Sequence, residues 1–332
     1  MSLPYQTRNI YEQQAHNKRL TLVIMCVFVL FIALLGLGFD MYLQGGVLPG
    51  QFLPVGTAAA LAVGFGSSFW SLQRGAKAVL ASAGAVPVDE TNPQHKQLLN
   101  IVDEMTIASG LPRPAVYVIP DPDPNAFATG KNPQESSIAV TQGLLDSLNR
   151  EELQGVIAHE MSHIRNYDIR LMTVIAALVG AVLLLSDWAR RMMMYGGGKK
   201  RDRNSKEAGQ LGLILLIVWL VSIILAPIVS QLLAMAVSRK REYLADASAA
   251  ELTRNPLGLA SALRKIENAA APTASIKRGA AHLCIADPLG KKVNTKEGFV
   301  AELFGTHPPI EKRIMALQAM AYQFQRQPEP TH

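Results

Sequence analysis

The sequence predicts a mainly α chain with a small β-sheet, joined to four hydrophobic helices. Three observations predict it. Apolar residues make up 49% of the 332 and charged residues only 17%, a balance that places part of the chain in lipid. Four long apolar runs are present. Elsewhere helical spacing dominates, and only two short stretches read as strands. The length suffices for one or two packed units.

The formal charge is +6. The basic residues lie beside the apolar runs, which fits membrane-flanking anchors and not a nucleic-acid face; no nucleic-acid partner is expected. Cys26 lies inside an apolar run and Cys284 in a late polar region. They are read as two reduced structural thiols, in keeping with a cytoplasmic face.

Residues 1–19 form a cytoplasmic tail. Leu20 to Phe39 is an uncharged apolar run long enough to span a bilayer. Arg8, Lys18 and Arg19 precede it, and it resembles an uncleaved signal anchor more than a secretory signal. Phe52 to Leu72 is a second span, so residues 20–74 form a transmembrane hairpin with both ends in the cytoplasm. Gly56, Ala60, Gly64 and Ser68 recur at four-residue intervals. Such a stripe lets another helix approach closely, in this chain or in a second copy, and ordinary lipid-facing small residues are the alternative. A third run, Leu171 to Trp188, and a fourth, Leu211 to Val237, flank a basic loop and are read as a second hairpin within residues 171–237. That assignment puts the basic loop on the outer side, against the charge rule.

In the soluble parts, Gln94 to Ser109 reads as a helix stopped by Gly110 and Pro112. Ala115 to Ile119 and Ser136 to Thr141 read as strands, with a turn-rich loop at Asp121 to Asn125. Helices follow at Gly143 to Leu148, from Glu151 onward with Asn149 as N-cap, at Arg239 to Leu252, at Leu257 to Asn268 and at Pro309 to Gln323. Residues 273–300 have no clear period and read as a long loop.

The chemistry centres on His159-Glu160-Met161-Ser162-His163. Residues four apart on a helix share a face, so both imidazoles can hold one metal. Glu160 sits beside it without ligating, placed to take the proton of a water whose pKa the metal lowers. Two ordinary histidines near a membrane surface are the alternative. A catalytic zinc needs a third protein ligand. Glu242 and Asp246, four apart on a downstream helix, are the best donors: Glu242 could ligate and Asp246 buttress a histidine. Helix statistics alone favour two solvated charges there.

These two segments together resemble the M48 family of membrane zinc peptidases, and within it the HtpX branch. Pro124-Asn125-Ala126-Phe127-Ala128-Thr129-Gly130 resembles the family's segment beside the active site, and Thr306-His307-Pro308-Pro309-Ile310-Glu311-Lys312-Arg313 its late His-Pro-Pro motif. The resemblance implies a zincin-like fold and an endopeptidase with one Zn2+ per chain, held by His159, His163 and Glu242. It implies a multi-pass protein of the bacterial inner membrane with a cytoplasmic active site, acting on damaged or misassembled membrane proteins. Residues 75–170 and 238–332 are then two parts of one protease domain. By the same resemblance Asn125, Ala126 and Phe127 would pair with an extended substrate strand; a plain turn is the alternative. His307 could donate to the oxyanion, or be a surface histidine at a helix start. Arg313 positions a carboxylate of the site, or is a surface charge. His159 precedes run three and Glu242 follows run four, so the chain between them crosses the membrane twice or not at all. A maturation protease for a dedicated substrate and a catalytically silent membrane scaffold are the competing functions; the scaffold would tolerate loss of Glu160 or a ligand, and all are present.

Overall fold

The computed structural model describes residues 10–43, 54–180, 239–269, 275, 283–285 and 308–326. Its first two helices, α1 (Ile10–Leu43) and α2 (Val55–Ser82), form an antiparallel hairpin. Asp40 near the end of α1 accepts hydrogen bonds from the Gly56 and Thr57 amides and the Thr57 hydroxyl, all at 2.7 Å, and so caps the start of α2. A Cβ on Gly36 would fall 2.6 Å from Ala60 Cβ; glycine there permits the close crossing. Farther along α2, Ser71 donates to the Val174 carbonyl (3.1 Å), and Gly75 lies against Thr173 and Ala177. The small-residue face of α2 is therefore covered within the chain.

The rest of the described chain is mainly helical around a four-stranded sheet in the order β1-β2-β4-β3. Its strands are β1 (Val86–Pro87), β2 (Ala115–Ile119), β3 (Ala126–Gly130) and β4 (Ser136–Thr141). β2 and β4 are parallel; β1 and β3 run antiparallel to their neighbours. The two stretches read as strands form β2 and β4. The short β1 and β3 had no alternating signal: β3, Ala126–Gly130, is buried at every position. A strand buried on both faces has no polar side to alternate.

Helix ends follow local chemistry. α3 (Pro93–Ser109) starts on the Asn92 side chain with Pro93 in its first turn, and ends on Gly110 in a left-handed conformation. After α4 (Gln142–Ser147), α5 (Arg150–Arg165) opens with a capping box: Asn149 accepts from the Glu152 amide (3.0 Å), and Glu152 from the Asn149 amide (2.8 Å). Tyr167 turns the chain with a φ of 60° into α6 (residues 168–180). Beyond it are α7 (Arg239–Thr253), α8 (Pro256–Asn268) and α9 (Ile310–Arg326). The main core lies between the sheet and α3, α5, α7, α8 and α9.

Two helices among the described residues are long and apolar enough to cross a membrane, at Glu12–Leu34 and Val55–Ser82; four were expected. The first half of run three forms α6. Its residues from Leu171 to Val179 are buried against α1 and α2, with Leu171, Ile175 and Val179 meeting Leu20 and Ile24. A long apolar run reads the same whether lipid or protein covers it, so the sequence could not separate the two. Run four, the basic loop and the rest of run three lie outside the described residues.

Candidate active site

α5 runs through the main hydrophobic core, and every residue from Val156 to Ile164 is buried. Gly155 makes this position available. A Cβ there would lie 2.8 Å from the Leu259 amide nitrogen, so α5 and α8 meet backbone to backbone. α5 also packs against α7, which brings Glu242 and Asp246 over the two histidines.

The side chains converge as one ion requires. The Nε2 atoms of His159 and His163 are 3.2 Å apart. Glu242 Oε2 lies 3.7 Å from the first and Oε1 3.6 Å from the second. Atoms bonded about 2.1 Å from a tetrahedral zinc are roughly 3.4 Å from one another. All three residues are buried, and they are the one group of His, Cys, Asp or Glu among the described residues with metal-binding spacing. Two imidazoles and a carboxylate suit zinc. The residues fit the metal.

Each imidazole is oriented through its other nitrogen. His159 Nδ1 lies 3.0 Å from Asp246 Oδ1, and His163 Nδ1 3.0 Å from Asp168 Oδ2. These contacts fix both tautomers with Nε2 turned inward. Arg313 is fully buried. Its Nε and Nη2 donate to the two oxygens of Asp246 at 2.8 and 2.7 Å, and its Nη1 lies 3.3 Å from Glu242 Oε2. The surface-charge alternative for Arg313 is thus removed.

Burial lowers the His159 pKa, and the Asp246 contact only partly opposes it. At His163 burial acts in the same sense, but Asp168, Glu242 and Glu160 together outweigh it and hold the group at about 9. A metal cation would take the place of that proton. Glu160 is buried, with neither carboxylate oxygen in a hydrogen bond of normal geometry. Burial and the Glu242 charge raise it to about 7, against the pull of His163 and the Ala128 amide.

Asn125, Ala126 and Phe127 are buried beside the site. Asn125 is tied to the end of β4: its amide donates to Thr141 Oγ1 (2.8 Å) and its carbonyl accepts from the Thr141 amide (2.9 Å). The outer edge of β3 carries residues 283–285. Cys284 bridges Phe127, the Ile285 amide donates to the Ala126 carbonyl (2.9 Å), and Arg313 Nη1 donates to the Ile285 carbonyl (3.1 Å). His307 lies outside the described residues. Sequence reasoning missed Asp168; its only signal was a carboxylate five residues past His163, beyond the helical i+4 spacing.

The model of Peptidase family M48 matches residues 92–321, which include both histidines, Glu242 and Arg313. The chain belongs to peptidase family M48. Curated relatives agree over nearly full length. A "Protease HtpX homolog" of Caldanaerobacter subterraneus is 45% identical, covering 94% of this chain and 98% of that one. Namesakes from Thermoanaerobacter pseudethanolicus (43%; 94% and 98% covered) and Ligilactobacillus salivarius (42%; 94% and 100%) follow. A crystal structure of S. mikatae Ste24p is 17% identical with a TM-score of 0.41, over 79% of this chain and 64% of that one, too slight a likeness to add to this. As an M48 member with HtpX relatives, the chain is a membrane metalloprotease.

Proposed function

We propose that this M48 protease is a zinc endopeptidase of the bacterial inner membrane, cutting misfolded or damaged membrane proteins from the cytoplasmic side. The observation that carries the zinc assignment is the convergence of His159, His163 and Glu242 at 3.2 to 3.7 Å. A zinc ion held there supplies Lewis acidity, polarising a scissile carbonyl and making a water easier to deprotonate. Glu160 takes the proton of the attacking water and returns it to the leaving amine. Its position near neutrality suits both directions of transfer. Asp246 and Asp168 keep the imidazoles aligned, and Arg313 neutralises the buried carboxylates. His307 is proposed to donate to the oxyanion.

The peptide is proposed to pair with β3 at Asn125, Ala126 and Phe127. Cys284 occupies that edge of Phe127, so a peptide entering there displaces residues 283–285. The membrane-protein substrate class is supported by the apolar hairpin joined directly to the catalytic unit. The basic residues flanking that hairpin support a cytoplasmic site.

The test uses full-length protein in detergent micelles. Wild type should carry one zinc per chain and cleave casein until a chelator is added. Glu160→Gln should keep the zinc and lose cleavage. Retained cleavage in that variant would remove Glu160 from its role, and a zinc-free, active wild type would remove the whole assignment.

A further inference from the structure

The first membrane helix reaches into the supports of the metal site. Asn17, one turn before the apolar run of α1, is 1% exposed. Its Nδ2 donates to Asp168 Oδ1 at 2.6 Å and to the Asn166 carbonyl at 2.8 Å. Its Oδ1 accepts from Arg241 Nη2 at 3.2 Å. Arg241 Nε in turn lies 3.0 Å from Asp168 Oδ1. The other oxygen of Asp168 faces His163 Nδ1 at 3.0 Å. Asp168 is fully buried. It therefore joins three elements: α5 through His163, α7 through Arg241, the immediate neighbour of Glu242, and α1 through Asn17.

More of α1 grips the same turn. Gln14 donates to the Arg165 carbonyl at 2.8 Å, and the Lys18 ammonium sits 4.0 Å from the centre of the Tyr167 ring. Tyr167 has a φ of 60°, a conformation that non-glycine residues hold only when their surroundings impose it. The turn that delivers Asp168 is thus shaped by contacts from the membrane helix.

We propose that Asp168 is a positioning residue for His163, and that Asn17 on the first membrane helix sets Asp168, so that the seating of the membrane hairpin determines metal affinity. This rests on His163 being a metal ligand. A carboxylate that accepts from the ligand's second nitrogen fixes the ring and raises its basicity. Asn17 supplies that carboxylate with a neutral donor from an element that carries no ligand. Displacing α1 leaves Asp168 Oδ1 with Arg241 Nε alone and takes the Asn17 donor from the Asn166 carbonyl, and so loosens the His163 ring without touching the ligands themselves.

The experiment measures zinc affinity of the full-length protein in lipid nanodiscs by competition with a chromogenic chelator, and the visible absorption of the cobalt-substituted protein. Asp168→Asn should weaken zinc binding roughly tenfold to a hundredfold and shift the cobalt bands. Asn17→Leu, of similar size, should weaken binding in the same direction by a smaller factor and move the same bands. A twofold or smaller change in both variants, with an unmoved cobalt spectrum, overturns the proposal. If Asp168→Asn does not fold, Asn17→Leu decides alone on the same criteria. His163→Ala separates the two layers: unchanged zinc binding there sinks the ligand assignment, whereas lost binding there beside normal Asp168→Asn and Asn17→Leu sinks only the positioning role.

Discussion

Replacing Arg313 by Met removes one buried cation from among three buried carboxylates. Asp246 loses donors at 2.8 and 2.7 Å, and Glu242 and Glu160 lose a neighbouring positive charge. Burial acts to raise the Asp246 pKa, and Arg313 reverses that. Without the guanidinium, Asp246 is an uncompensated buried carboxylate or takes up a proton. Breaking a buried pair from one side costs about 3–5 kcal/mol. At about 2 °C per kcal/mol for a chain of this size, the melting temperature should fall by about 6–10 °C. Zinc affinity should fall too, because a protonated Asp246 no longer supports His159 as an anion. The double variant Arg313→Met with Asp246→Asn removes the orphaned charge while keeping an acceptor for His159, and should regain part of the loss. Thermal melts of the four proteins of this cycle, with zinc and with chelator, give the coupling. A coupling below about 0.5 kcal/mol, the scatter expected of independent sites, would refute the view that Arg313 acts through Asp246.

Gly155→Ala places a methyl 2.8 to 3.0 Å from Leu259 backbone and Cβ atoms; overpacking of about 1–3 kcal/mol should exceed the gain of roughly 1 kcal/mol in helix propensity, and a raised melting temperature would contradict the close α5–α8 contact. Glu152 is held below its usual range: burial pushes it up, but hydrogen bonds from Lys265 and Ser261, both at 2.7 Å, prevail. A depressed carboxylate stabilises the fold above its ordinary value of 4.5 and loses that contribution as pH falls through the lower folded value. Melting curves of wild type between pH 6 and the acid limit should therefore drop more steeply than those of Glu152→Gln; parallel curves would tell against the linkage. In a Cys26→Ser background, buried Cys284 should react slowly with maleimide, and a bound peptide should speed the reaction by displacing residues 283–285. Equal rates with and without peptide would place the substrate elsewhere.

What the sequence determined by itself is what local rules govern. His159 and His163 share a face because four residues close one helical turn. Asn149, Asn92 and Gly110 fix helix ends through their own side chains or backbone freedom. β2, exposed at Ala115 and partly exposed at Tyr117, alternated visibly; β4 read as a strand although it is buried everywhere but at Ser137. Membership in an ordered set of motifs made Glu242 the expected third ligand, although its own helix could not distinguish it from a solvated charge.

Only the tertiary structure decided the rest, because those features depend on which distant groups meet. Arg313 became a buried partner of Asp246 once α9 packed on α7 and α8. Asp168 became a support for His163 because a left-handed Tyr167 turns the chain back and Asn17, 151 positions earlier, meets it there. The first half of run three turned out to be buried against the hairpin helices, a distinction of covering and not of composition. Phe127, Cys284 and their strand pairing carry no signal of period or charge; the edge of β3 is claimed by whichever segment the fold brings alongside it.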